Sequence, residues 1–146
     1  MENSRKYLRL YSIFILIFAA YTLITLAVEV LFASFDNVEI PEGAPENVVL
    51  IAQIVILLIS FILLLPQLYV GFKGLKMAKY PNSSRGHIIW AMILLVFAVL
   101  GSISPIKNLI SGTNARENFG TVTTCLVEIS IYFEYIRYAK AVAEDN

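Results

Sequence analysis

Charge and reactive side chains are what this sequence has least of. Only 15% of its 146 residues are charged, against about 25% in an ordinary soluble domain. Acids and bases balance at 11 each, so the chain offers no basic field for nucleic acid. A single cysteine, Cys125, can neither close a disulfide within the chain nor form a Cys-x-x-Cys pair. A single histidine, His87, cannot build a zinc site or ligate haem on both faces. No His-Glu-x-x-His and no Gly-x-Ser-x-Gly occurs, and GFKGLK at 71–76 is too short for a phosphate loop and lacks its Gly-Lys-Ser/Thr. These absences argue against an enzyme and against a metal or other cofactor.

What the chain has is apolar surface. Hydrophobic residues make up 58% and the mean hydropathy is +0.74. They are gathered in four runs, at about 10–34, 47–72, 87–106 and 119–138. Each is close to or above the ~20 residues that carry a helix across ~30 Å of hydrocarbon. Lipid supplies no partner for bare backbone groups, and these runs are too long for barrel strands. The expectation is four transmembrane helices in a single integral-membrane domain over 1–146.

The breaks between runs are polar and carry turn residues: FDNVEIPEGAPENV, KYPNSSRGH and SGTNAREN. Asn118 stands where it would cap the fourth helix. Short connections predict antiparallel neighbours, hence an all-α, up-down-up-down bundle. Nine of the 11 basic residues lie in the N-terminal segment, the 73–86 connection or the C-terminal segment, leaving Lys107 and Arg116 opposite them. The positive-inside rule then predicts cytoplasmic termini and an outward first loop bearing Asp36, Glu39, Glu42 and Glu46. The first apolar stretch exceeds the about 7–15 residues of a signal peptide, so it reads as an uncleaved helix. The location predicted is a cell membrane, crossed several times; the bacterial cytoplasmic membrane fits this small polytopic design.

Glu128 sits within about a residue of the midpoint of the fourth run. A charge at that depth costs several kcal/mol even on lenient insertion scales, so the carboxyl should face the bundle and be either neutral or partnered. Thr121, Thr124, Cys125, Glu128, Tyr132 and Tyr135 recur at helical spacing as one polar stripe. The first run has a matching stripe in Ala19, Thr22, Thr25, Glu29 and Ala33. Small and hydroxylated residues at such spacing let two helices approach and hydrogen-bond. One reading makes Glu128, with Thr124, Thr22 and Thr25, a proton or cation site. The plainer one makes Glu128 a donor to Thr22, Thr25 or Ser60, serving only to hold helices together.

Pro66 should leave the carbonyl of Ile62 unpaired and kink the second helix. Lys73, Lys76 and Lys79 follow as a basic end suited to anionic head groups. Glu134 and Arg137, three residues apart, are placed to pair on their own helix. Trp90, Tyr7, Tyr11, Tyr69, Tyr80, Tyr135 and Tyr138 read as an interfacial aromatic belt. Pro66-Gln67 after its apolar lead-in resembles the PQ-loop motif of sugar and amino-acid transporters. The three-helix repeat of that family has no counterpart in four runs, and the family is not adopted. The leading expectation is a small non-enzymatic membrane protein. Its partners would be the lipid bilayer and either further copies of itself or a larger membrane complex. The alternative is a proton- or cation-coupled transporter or channel built around Glu128.

Overall fold

The computed structural model describes residues 2–32, 47–112 and 114–144. The acidic stretch 36–46, expected to face outward, lies outside the described residues. Four helices account for nearly all of the rest: α1 (Glu2–Leu31), α2 (Val48–Lys79), α3 (Gly86–Ile110) and α4 (Ala115–Glu144). No strand occurs among the described residues. Three of the helices, α1, α2 and α3, are long and apolar enough to cross a membrane.

The helices overrun the apolar segments that announce them, mostly at their basic ends. α1 begins at Glu2 rather than near residue 10, α2 continues to Lys79 rather than 72, and α4 extends to Glu144 rather than 138. Apolar composition marks the part of a helix that lipid requires, whereas Lys, Arg, Glu, Leu and Ala carry the backbone further on propensity alone. Lys73, Lys76 and Lys79 therefore belong to the last turns of α2, where positive charge complements the helix dipole. Asn118 is not a cap. Its N–H and its Nδ2 both donate to the carbonyl of Asn114, at 3.0 and 3.1 Å, so it lies inside the first turn of α4. At the end of α3, Gly112 takes φ +73°, a conformation that suits glycine and stops a helix.

The chain divides into two compact units. Unit 1 comprises Met1–Leu16 and Pro66–Asn146, and unit 2 comprises Ile17–Leu65. α1 and α2 thus contribute to both, and the division on α2 falls at Pro66, through which the helix continues.

Unit 1 holds a continuous core. Leu8 and Ile15 of α1, Val70 and Met77 of α2, Ile88 and Ala91 of α3, and Tyr132, Tyr135, Ala139 and Val142 of α4 are all buried. Two glycines allow the close approach. A Cβ on Gly71 would fall 2.6 Å from the Leu16 side chain. One on Gly74 would fall 2.5 and 2.6 Å from the Tyr135 ring and hydroxyl, and nearer still to the Ser12 hydroxyl. Ser12 is itself buried and donates to the carbonyl of Leu8 at 2.7 Å. α1, α2 and α4 therefore meet at one point where only hydrogen fits.

Unit 2 is assembled differently. Among its described residues, Ala19, Val30 and Leu64 are the buried apolar ones. A side-chain link between its helices is the Gln53 amide, which donates to the carbonyl of Val30 at 2.9 Å. Thr22, Thr25 and Ser60 each donate to the carbonyl four residues earlier, at 2.9, 2.8 and 2.7 Å. Hydroxyls bonded in this way expose little polarity to an apolar surrounding. Large apolar side chains such as Leu58, Ile59 and Leu63 point outward.

Candidate functional site

The polar stripe of α4 runs from surface to core. Thr121 and Thr124 are exposed, Cys125 and Glu128 are half-buried, and Tyr132 and Tyr135 are buried. The four- and three-residue steps from Glu128 to Tyr132 to Tyr135 keep all three on one face of the helix. Thr124 spends its hydroxyl proton on the carbonyl of Gly120, at 3.0 Å, as Thr123 and Ser130 do on Phe119 and Leu126. Glu128 has no hydrogen-bond or ion-pair partner among the described residues. Of the four candidate proton-site residues, Thr124 and Glu128 fall in unit 1, Thr22 and Thr25 in unit 2.

One turn beyond Glu128, the Tyr132 hydroxyl is buried without a hydrogen bond of good geometry. The buried amide of Gln67 lies beside it. The Tyr135 hydroxyl donates to the carbonyl of Val70 at 3.0 Å. His87 then packs edge-on against the Tyr135 ring, 6.1 Å between centroids and 77° between planes. Its Nδ1 donates to the carbonyl of Ser84 at 2.9 Å, which leaves the buried Nε2 unprotonated in the neutral ring and without a partner. The result is a row of polar side chains, Glu128, Tyr132 with Gln67, Tyr135 and His87, threaded through the core of unit 1. Two of its atoms are buried and unbonded, each a group that costs roughly 1–3 kcal/mol when left so.

Glu128, Tyr132 and Tyr135 share one polar stripe in the sequence, and the other members of this row escape it. Tyr135 also falls in the interfacial aromatic belt, yet it is fully buried, because Gly74 on α2 leaves room for its ring. A glycine at 74, and a tyrosine on the stripe of Glu128, are the signals from which the contact could have been found. Gln67 and His87 carry no such signal. The rest of the aromatic belt includes outward-facing members: Tyr69, Tyr80 and Trp90 are exposed, and Tyr7 and Tyr11 both stack with Tyr138, at 5.0 and 5.7 Å. The expected pair of Arg137 with Glu134 is present at 3.5 Å.

The basic residues form a second polar zone. Lys73 lies over the Tyr69 ring at 5.7 Å and Lys79 over Tyr80 at 5.2 Å, while Lys76 is exposed. Arg85 reaches from the α2–α3 connection to the carbonyl of Ala143 at 2.7 Å, placing a cation on the C-terminal end of α4. Among the described residues no three His, Cys, Asp or Glu side chains gather as metal ligands. An apolar groove of about 490 Å³ between α1 and α4 is walled by Tyr11, Phe14, Leu126 and Ile131, with Glu134 at its edge. Glu128 is not among its lining residues. No family model, curated protein or solved structure matches this chain.

Proposed function

We propose that this is a non-enzymatic integral membrane protein of four transmembrane helices, up-down-up-down, with both termini and the 73–86 connection in the cytoplasm. It acts as a structural or accessory unit of a cell membrane, in contact with lipid and assembling with copies of itself or with a larger complex. The observation that carries this reading is the outward face of α2: residues 48–63, the greater part of its most apolar stretch, include none that is buried. An apolar surface of that extent is stable in lipid and not in water. α4 is 30 residues long, about 45 Å, ample for a crossing. Its Thr and Ser hydroxyls bonded back to the helix support that crossing despite its lower hydropathy. The contacts of Leu16 and Ser12 with Gly71, and of Arg85 with Ala143, support antiparallel neighbours. Single cysteines labelled in a Cys125→Ser background test the topology. Residues 36–46 should react from outside and 76–85 only after permeabilisation; the reverse pattern overturns it.

A second reading, a proton or cation site at Glu128, is favoured by one observation: the unbonded Tyr132 hydroxyl and the Gln67 amide one turn away. In that reading Glu128 exchanges a proton or holds a cation while Tyr132 and Gln67 orient it. Proton-linked flux in proteoliposomes over about pH 5.5–8.5 tests it. Wild-type flux that vanishes in Glu128→Gln supports it, and equal flux in both removes it.

A further inference from the structure

A cavity of about 710 Å³ opens between the first turns of α1 and the last turns of α2. Arg5, Lys6 and Arg9 line it from α1 and Lys79 from α2, with Glu2 as the one carboxylate among the described lining residues. The sequence alone groups Lys79 with Lys73 and Lys76 and leaves the α1 cations as a topology signal. Spacing on α1 brings residues 2, 5, 6 and 9 to one face, and the fold sets Lys79 against them. The described lining thus carries four cations and one anion. Its floor is apolar, made by Leu75 and Ala78.

We propose that this cavity holds the phosphate of an anionic phospholipid head group. The proposal rests on the membrane reading above. A second groove distinguishes a lipid from a free anion. It holds about 180 Å³, shares Lys6 and Arg9 with the basic cavity, and continues along α1 past Tyr7 and Leu10 to Ile13. A phosphate between Arg5, Arg9 and Lys79 would leave its acyl chain beside Leu10 and Ile13, where the apolar run of α1 begins. Guanidinium groups bind such a phosphate through paired N–H donors, and ammonium groups act as point charges. Basic pockets at the end of transmembrane helices recognise anionic lipids by this chemistry.

The test uses the full chain in detergent micelles, washed at about 0.3 M salt, where the Debye length is about 6 Å and diffuse attraction is screened. Phosphatidylglycerol and phosphatidylcholine are supplied in equal amounts, and the lipid retained is counted by native mass spectrometry. Wild type should keep the anionic lipid in preference. Arg5→Gln, Arg9→Gln and Lys79→Gln should each reduce that preference by about fivefold. Lys73→Gln with Lys76→Gln should change it less than twofold. Glu2→Gln, which removes the carboxylate of the described lining and no contact of the core, should increase it and reports on the site even where one of the cation variants unfolds. No preference in the wild type overturns the proposal. So does an equal loss on replacing Lys73 and Lys76, which would mean diffuse attraction. Displacement of the lipid by millimolar inorganic phosphate would make this a free-anion cavity and also overturn it. Cysteine labelling reads the topology independently, so a basic end found outside would refute the orientation while leaving lipid retention to decide the site.

Discussion

Unit 1 and unit 2 are built in part from the same two helices and differ in what holds them. In unit 1 the halves of α1 and α2 bury Ser12, Gly71, Gly74 and Met77, and a tyrosine hydroxyl closes the contact. In unit 2 the more hydrophobic half of α2 leaves Leu58, Ile59, Ile62 and Leu63 outward and ties to α1 through the Gln53 amide. Burial runs opposite to hydrophobicity. In water that would be an error of design; in lipid it is expected, because apolar side chains gain nothing by leaving a solvent as apolar as themselves. Close packing of small residues and a few hydrogen bonds then decide which segments come together.

Four substitutions break or sharpen the contrast, and unfolding in mixed micelles reads each of them. Gly74→Leu forces a side chain into the space held by Ser12 and Tyr135 and should cost about 3 kcal/mol, the upper end for overpacking. Met77→Ala, at a fully buried position of unit 1, should cost about 2 kcal/mol through lost contacts and the void it leaves. Tyr135→Phe keeps the ring and removes the bond to Val70, for about 1 kcal/mol or less. Leu58→Ala in unit 2 deletes a side chain that is 58% exposed, and the change should stay below about 0.5 kcal/mol. A cost at Leu58 equal to that at Met77 would erase the distinction between the units.

The number of helices and their class were legible because a 20-residue apolar run has few alternatives in a chain of this length. Helix ends were less legible. Hydropathy falls at Arg9 and Lys73, but helix propensity does not, so α1 and α2 run several residues further into polar sequence. The Glu134–Arg137 pair could be read because both partners lie on one helix at a fixed spacing. Tyr135 on Val70, Arg85 on Ala143 and the meeting of Arg5, Arg9 and Lys79 could not, since each joins residues far apart in sequence. Glu128 stood out by depth alone. Tyr132 joins it by spacing on the same helix, whereas Gln67 emerges only once α2 and α4 are side by side.

The central claim is that the outward apolar face of α2 lies in lipid while unit 1 buries its small residues against one another. Spin labels at Leu58, Leu63 and Ala139, each in a Cys125→Ser background and reconstituted in liposomes, test it directly through collision with oxygen and with a water-soluble nickel chelate. Labels at Leu58 and Leu63 should relax strongly with oxygen and scarcely with nickel, and the label at Ala139 should be shielded from both. Strong relaxation by nickel at Leu58 or Leu63 would place that face in water and contradict the account.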